Sequence, residues 1–256
     1  MKLLQFYNQY RSLFGGEETV VRRIAELVEK SGGEARLLMR SSRGLDRSLR
    51  GRIRGFASGV YNPFAYRDVV DYLTTFRPDI AHVHNLYPLF SPSVLVALRR
   101  AHIPVVMTVH NHFHTCPRAD HLCRGRICER CLGGREYQCV LHDCRDNFFE
   151  SVGYALRSAT ARKFRLFIDN VTIVIALNQF AKDRLAKAGF GEERVVVLPN
   201  MVDVPHADVD APRGKYVVFS GRMSPEKGVA TLLEAARRIP DIPIRLVVGG
   251  PTLEGH

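Results

Sequence analysis

The feature that most constrains this chain is a regular alternation between short apolar runs and amphipathic segments. Runs such as Val105–Val109 are rich in β-branched residues, which is typical of strands buried inside a parallel sheet. The segments between them place apolar residues at helical spacing, as Glu17–Lys30 does with Val20 and Ile24. Strands that alternate with helices predict an α/β protein whose parallel sheets are covered by helices on both faces.

The same pattern predicts where each element lies. The predicted strands are Lys2–Tyr7, Ala35–Met39, Ile80–Val83, Val105–Val109, Val171–Leu177, Val195–Leu198, Tyr216–Phe219 and Ile244–Val248. The predicted helices are Glu17–Lys30, Pro63–Phe76, Pro92–Ala101, Asn147–Ile168, Gln179–Ala188 and Gly228–Ile239.

These elements predict two Rossmann-like, doubly wound domains. Residues 1–200 form a nearly complete first domain with a cysteine-rich insertion at 116–144, and residues 201–214, rich in proline and acids, form a linker. Residues 215–256 supply only the first β-α-β unit of the second domain. One helix and two strands are too little to close a core, so we interpret the chain as part of a longer protein.

The charge of the chain limits its partners. Lys and Arg total 37 against 26 Asp and Glu, which gives a formal net charge of +11. This balance favours an anionic partner, such as a nucleotide, a phosphorylated lipid, a membrane surface or a nucleic acid. No run approaches the ~20 apolar residues that a membrane span requires. Gln5 and Asn8 interrupt any signal-peptide core, so we expect a cytoplasmic protein.

The strand Val105–Val109 ends directly at His110. In open α/β sheets, ligands bind outside the carboxyl ends of the strands, so His110 is the candidate catalytic residue. An ordinary structural histidine at a strand end is the alternative. On the strand Ile80–Val83 and just beyond it, His82 and His84 alternate around Val83 and therefore share one face. Of these two, His84 is the better candidate for a place near the site.

All six cysteines lie in the stretch Cys116–Cys144. Disulfides are not expected in the cytosol. Cys128 and Cys131 have the C-x-x-C spacing of a zinc knuckle, and Cys116 and Cys123 complete a set of four thiolates. The two remaining cysteines and the local histidines are possible substitutes. A structural zinc site, reduced buried thiols and a redox-sensitive cluster all stay open.

Two glycine-containing loops follow predicted strands. Gly15 and Gly16 separate the first strand from the first helix, where a backbone without side chains can approach a phosphate or a sugar. In the second domain, Gly221 is followed by Arg222 and, five residues later, by Lys227. Arginine offers a planar fork to a diphosphate and lysine a compact charge. Ordinary solvated turns are the alternative for both loops.

The chain resembles family-4 glycosyltransferases along essentially its whole length. The resemblance rests on Asp79–His84 (DIAHVH), His110, Ile175–Leu185 (IALNQFAKDRL), Leu198–Asp203 (LPNMVD) and Gly221–Gly228 (GRMSPEKG). It implies the GT-B architecture, in which two Rossmann-like domains face each other across a cleft. It also implies transfer of a hexose, with retention of configuration, from a UDP- or GDP-sugar to a glycan or lipid-linked acceptor. No metal is then required for catalysis, and any zinc would be structural.

The resemblance also implies roles for individual residues. His110 would contact the donor sugar near the reaction centre, as a hydrogen-bond partner and not necessarily as a general base. The implied donor-binding residues are Gly15, Gly16, Asn200, Gly221, Arg222 and Lys227. Members of the family also carry a glutamate pair, E-x7-E, beyond the point where this sequence stops, so we expect the chain to be inactive alone.

The sequence is also compatible with other functions. One is an enzyme of the same fold with another reaction, either a sugar-nucleotide epimerase or a phosphorylase. A zinc-containing nucleic-acid-binding module is disfavoured because basic and aromatic residues do not interleave, so no nucleic-acid partner is expected. The arginine-rich stretch Arg36–Arg54 is either a solvated loop or a patch that binds an anionic membrane surface. In the second case the protein would be peripheral at the inner face of the plasma membrane.

Overall fold

The structure is a computed structural model that describes residues 1–9, 16–45, 48–202, 216–221, 227–239, 241 and 243–248. The chain divides into two compact units, one that runs to Met201 and one that begins at Val202. Of the predicted linker 201–214, all but Met201 and Val202 lies outside the described residues. Within the described residues, no helix is both long and apolar enough to cross a membrane.

The first unit contains most of the regular structure. Its strands are β1 (Lys2–Gln9), β2 (Glu34–Ser41), β3 (Ile80–Val83), β4 (Val105–Val109), β5 (Leu122–Cys123), β6 (Arg126–Ile127), β7 (Ile173–Ala176) and β8 (Val195–Val197). Its helices are α1 (Gly16–Lys30), α2 (Leu49–Val60), α3 (Pro63–Thr75), α4 (Ser93–Arg100), α5 (Tyr137–Leu141), α6 (Phe148–Lys163) and α7 (Gln179–Lys187).

Six of these strands form one parallel sheet in the order β2-β1-β3-β4-β7-β8. The chain passes from β1 to β2 on one side, and then crosses back to β3, which pairs with the other side of β1. Because parallel crossovers are right-handed, this reversal places helices on both faces of the sheet. It also creates a switch point between the carboxyl ends of β1 and β3, which is where such folds bind ligands.

The core of this unit lies on both faces of the central strands. Leu4 and Phe6 of β1, Val83 of β3 and Met107 of β4 are almost completely buried. Helix α4 adds a buried apolar stripe that includes Leu98. Because the strands that form the switch point are buried on both faces, the side chains at their carboxyl ends stand on a rigid base.

Helix α2 is an element that the sequence pattern did not predict, because arginines dominate that stretch. Ser48 caps the helix, since its hydroxyl accepts a 3.1 Å hydrogen bond from the Gly51 N–H. The helix packs on α6, where a Cβ at Gly153 would lie only 2.7 Å from the Phe56 ring. Glycine at this position therefore lets the two helices approach closely.

Helix α6 ends at Lys163, five residues before the predicted end at Ile168. Arg165 adopts a left-handed conformation (φ 49°), and the Leu166 N–H reaches back to the Ala161 carbonyl at 2.9 Å. These are features of a Schellman motif, although its left-handed residue is usually glycine. The use of arginine there explains why the sequence carried no stop signal.

The second unit, described by itself, contains a β-α-β unit. Strand β9 (Val217–Gly221) pairs in parallel with β10 (Ile244–Val248), and α8 (Val229–Arg237) connects them. The predicted α/β fold class, with parallel sheets in both parts of the chain, is confirmed.

Candidate functional site

Three histidines meet at the carboxyl ends of β3 and β4, beside the switch point. The rings of His82 and His84 lie 4.2 Å apart between centroids, as expected for residues two apart on one face of a strand. The His84 ring in turn stacks on that of His110, with centroids 5.3 Å apart and an interplanar angle of 21°. The structure thus brings the predicted candidate His110 together with both histidines of the DIAHVH segment.

A chain of hydrogen bonds runs through these rings from the buried side chain of Gln5. The Gln5 amide donates from Nε2 to the carbonyl of Val21 at 3.0 Å, which leaves its Oε1 free to accept. Oε1 lies 3.2 Å from Nε2 of His84. Nδ1 of His84 lies 3.0 Å from Nε2 of His110. We call this series, Gln5–His84–His110, the histidine relay.

The relay determines where the protons lie on its two imidazoles. Burial, and then the neighbouring histidines, hold the pKa of His84 well below its usual range, so this ring is neutral and carries one proton. Because Oε1 of Gln5 can only accept, that proton is on Nε2 of His84. Nδ1 of His84 must then accept from the Nε2–H of His110.

His110 is therefore a neutral imidazole with a defined tautomer. Burial lowers its pKa to about 4, so it is uncharged at neutral pH. With its proton on Nε2, its Nδ1 carries a lone pair that has no hydrogen-bond partner among the described residues. A nitrogen of this kind accepts a hydrogen bond from a hydroxyl group, and it is a weak base for removing a proton near pH 7.

His82 has a structural role. Its Nε2 lies 2.8 Å from the hydroxyl of Thr108 on the adjacent strand β4, and its side chain is buried. Burial is the main cause that lowers its pKa to about 4. It therefore packs against the His84 ring and helps to hold it in place.

The ends of β1 and β3 are joined by a second set of contacts. The Asn8 N–H donates to the carbonyl of Asn85 at 2.7 Å, and the Asn85 side chain donates back to the carbonyl of Asn8 at 3.2 Å. The Asn8 Oδ1 also accepts from the Leu89 N–H at 3.1 Å. These bonds hold the switch point in a fixed shape, and none of them was predicted from the sequence.

Two cavities border this region. A shallow one of about 330 Å³, including space open to solvent, is lined by His84, His110 and Asn111 among others. A larger one, about 690 Å³ on the same measure, is lined by residues that include His114 and Cys116. His114 packs edge-on against Phe167, with centroids 4.4 Å apart, so it does not join the relay.

The predicted donor-binding residues lie in different parts of the chain. Gly16 begins α1, and a Cβ there would meet nothing within 4 Å. Asn200 is exposed just beyond β8. Gly221 ends β9 and Lys227 is exposed before α8. Gly15 and Arg222 lie outside the described residues.

The predicted metal ligands Cys116, Cys123, Cys128 and Cys131 all carry free thiols, as do the other two cysteines. Burial raises the pKa of Cys131 to about 12 and that of Cys144 to about 11. Within the described part of the chain, no three His, Cys, Asp or Glu side chains stand close enough together to hold a metal ion. The metal assignment therefore stays a prediction.

Gln5 is the functional residue that sequence reasoning missed. Its side chain is completely buried, in a strand whose neighbours Leu4 and Phe6 are equally buried. A lone amide inside such an apolar run was the available signal, since a buried polar group requires a hydrogen-bond partner.

The sequence model of one family, described as Glycosyltransferase Family 4, matches residues 14–205. Among curated protein sequences, none matches significantly.

Among solved structures, HepE of Anabaena in complex with UDP has a TM-score of 0.51 at 15% identity, over 97% of this chain and 62% of that chain. The lipopolysaccharide outer core galactosyltransferase WaaB, in its apo form, has a TM-score of 0.48 at 14% identity, over 97% and 68%. MnaA of S. aureus with UDP has a TM-score of 0.49 at 14% identity, over 99% and 62%. The similarity to HepE supports the predicted GT-B fold class, and this chain spans about three fifths of the length of HepE.

Proposed function

This chain belongs to Glycosyltransferase Family 4, and we propose that the protein transfers a hexose from a UDP- or GDP-sugar to a glycan or lipid-linked acceptor, with retention of configuration. The observation that carries this proposal is the histidine relay at the switch point of the first sheet. It presents one neutral nitrogen acceptor, Nδ1 of His110, at the place where folds of this kind bind ligands.

In this proposal, Nδ1 of His110 accepts a hydrogen bond from a hydroxyl group of the donor sugar. Because the pKa of His110 is about 4, the imidazole stays neutral and holds the sugar without taking its proton. The relay prevents the ring from changing tautomer, so the acceptor is present before the sugar binds. Such prior organisation lowers the cost of bringing the reacting atoms into position.

The donor diphosphate is assigned to the second unit. Lys227 and Gly228 precede α8, and Gly228 has a left-handed backbone (φ 71°) that favours glycine. The unpaired N–H groups at the start of a helix favour an anion, and Lys227 adds a positive charge. Arg222, Gly221, Gly15, Gly16 and Asn200 are proposed to complete the donor site on the strength of the sequence resemblance.

The proposed reaction needs no metal ion. The bond between the anomeric carbon and the diphosphate oxygen breaks, and its electron pair goes to the leaving diphosphate. The acceptor oxygen attacks the same face of the sugar, and its proton passes to an oxygen of the leaving phosphate. The basic residues around the diphosphate would stabilise the charge that develops on it.

We further propose that the first unit works at the cytoplasmic face of an anionic membrane that carries the acceptor. Helix α2 bears Arg50 and Arg54 beside Ile53, whose side chain is 59% exposed. Phe149, at the start of the neighbouring helix α6, is 82% exposed. Exposed apolar groups next to arginines are typical of surfaces that bind anionic lipid. Sedimentation with anionic vesicles tests this, and equal binding to neutral vesicles would contradict it.

Donor binding tests the assignment of the diphosphate site. We expect isothermal titration of the full-length protein to detect binding of a UDP- or GDP-hexose, and the Arg222→Ala, Lys227→Ala double variant to weaken it at least tenfold. A charge-matched control is Arg237→Ala, Arg238→Ala at the other end of α8. Unchanged affinity in the first variant would show that the diphosphate binds elsewhere. An epimerised sugar nucleotide formed without acceptor would instead favour the epimerase alternative.

A further inference from the structure

The segment between β4 and α6 has almost no apolar core of its own. Its regular structure consists of the two-residue strands β5 and β6 and the five-residue helix α5. The large apolar side chains of Ile127 and Leu141 are 81% and 70% exposed. A segment this poor in buried hydrocarbon usually depends on a cross-link or a metal ion for its shape.

Cysteines form most of the small buried cluster in this segment. One buried cluster consists of Cys123, Cys139, Cys144 and Ala155. Cys128, Cys131 and Val140 pack against it. Five of the seven residues in and around this cluster therefore carry thiols, and none of these thiols forms a disulfide.

Cys144 is the centre of the cluster. Its Sγ lies 3.9 Å from Sγ of Cys123. This is far longer than a disulfide bond, which is about 2.05 Å. It is close to the separation of two thiolates on one tetrahedral zinc ion, about 3.8 Å for Zn–S bonds of about 2.3 Å. Its thiol is also near enough to those of Cys128, Cys131 and Cys139 to interact with them electrostatically.

The backbone of this segment is held in an unfavourable shape. Five non-glycine residues of this segment have left-handed backbones, namely Ala119, His121, Arg124, Asp143 and Asp146. Each such residue costs free energy and persists only where its surroundings impose it. Arg118 provides part of that support, since its guanidinium donates to the carbonyl of Cys144 at 2.7 Å. Hydrogen bonds of the His121 ring and of the Asp143 carboxylate provide more of it, and a cross-link between the buried thiols would add to this support.

We propose that this thiol cluster binds one structural zinc ion through Cys144 and three of its four neighbours Cys123, Cys128, Cys131 and Cys139. Four thiols bind Zn²⁺ as thiolates and release four protons, which leaves a closed centre with a charge of −2. In the present arrangement no three of the described side chains converge at coordination distance, so the thiols must draw together around the ion. The structure brings Cys144 within 3.9 Å of Cys123, whereas the spacing predicts Cys144 only as a substitute for one of the four ligands.

Zinc here would shape the larger cavity without taking part in chemistry. Cys116, Cys131 and Leu132 line that cavity together with His114. A metal ion that fixes Cys131 would therefore fix one wall of a space next to the relay. The proposal is independent of the proposed transfer reaction, because a protein with or without transferase activity could carry this centre.

Metal analysis of the full-length protein, purified without chelators, tests the proposal. We expect close to one zinc per chain, and close to none in Cys144→Ser. The matched control is Ile127→Ala, a highly exposed position in the hairpin formed by β5 and β6, which should keep its zinc. Cobalt substitution should give the visible absorption bands of a tetrahedral cobalt–thiolate centre in the wild type.

A second measurement, made on the wild type, tests the proposal even if the Cys144→Ser variant does not fold. Removing the metal from the wild type with a chelator should speed amide exchange in residues 116–146 while β1, β3 and β4 stay protected. Six freely reactive thiols with no bound metal in the wild type would overturn the proposal. So would zinc retained by a folded Cys144→Ser variant, or iron in place of zinc.

Discussion

His110 owes its chemical character to two residues that lie far from it in sequence. Gln5 and His84 are separated by 79 positions, and His84 and His110 by 26. The amide oxygen of Gln5 sets the proton on His84, and His84 sets the proton on His110. In the proposed function, His110 contacts the sugar while Gln5 and His84 set its tautomer, which makes His84 a positioning residue.

Replacing His84 by Phe should keep the ring packing and remove the relay. His110 could then exchange tautomers, and part of its population would offer an N–H where the sugar requires an acceptor. We expect kcat/KM for the donor to fall about tenfold, which corresponds to about 1.4 kcal/mol. Steady-state kinetics of the full-length protein measure this.

The control is His102→Asn, at an exposed left-handed position after α4 where asparagine fits the backbone. It should leave kcat/KM unchanged. A purely structural role for His84 would instead appear as reduced stability with normal kinetics in the fraction that remains folded. That result would contradict the relay.

Elements with a clear apolar period could be predicted from the sequence, whereas those defined by tertiary contact could not. Strands β3 and β4 occur where predicted because their apolar residues are local and consecutive. Helix α2 was missed because arginines obscure its apolar period, and its close packing depends on Gly153 of α6, which lies about a hundred residues away. The end of α6 was missed because arginine occupies a position that normally takes glycine.

The same division holds for the candidate site. His110 could be identified because it ends a recognisable strand. Its neutral state and its tautomer could not, because they depend on burial and on the distant amide of Gln5. The sequence also showed that the cysteines are grouped, while the 3.9 Å approach of Cys144 to Cys123 required the fold.

Alanine substitutions at two glycines test the contact between α2 and α6. A Cβ at Gly55 of α2 would make an ordinary contact, 3.8 Å from Leu45, so Gly55→Ala should stabilise the protein by about 0.5–1 kcal/mol through helix propensity. A Cβ at Gly153 would lie 2.7 Å from the Phe56 ring. We therefore expect Gly153→Ala to destabilise it by about 1 kcal/mol or more.

Urea denaturation of both variants measures these changes in the free energy of unfolding. The two substitutions are chemically identical and both lie inside helices, so each serves as the control for the other. An equal gain in stability from both would show that α2 does not pack closely on α6.

The buried histidines should make the stability of the whole protein depend on pH. The pKa of His82 is about 4 in the folded protein, below its ordinary value of 6.5, because burial penalises the charged ring. Between these values the unfolded chain binds more protons than the folded one. Stability should therefore be complete above about pH 6.5 and fall as the pH drops toward about 4.

Denaturant unfolding at several pH values measures this loss. His82 is buried and its shift corresponds to about 3 kcal/mol, with His114 adding to it. The variant His82→Gln should show a shallower decline than the wild type. A free energy of unfolding that is constant across this range would mean that these histidines are not buried as the structure has them.

We propose that His110 accepts a hydrogen bond from the donor sugar of a glycosyl transfer reaction. The most direct measurement compares hexose transfer by the full-length wild type and His110→Ala, with binding of the free nucleoside diphosphate measured in parallel. We expect transfer to fall about a hundredfold, since removing one preorganised hydrogen-bonding group at a reaction centre costs on that order, while the affinity for the nucleoside diphosphate stays the same. Equal transfer rates in the two proteins, or nucleotide affinity lost to the same extent as transfer, would contradict it.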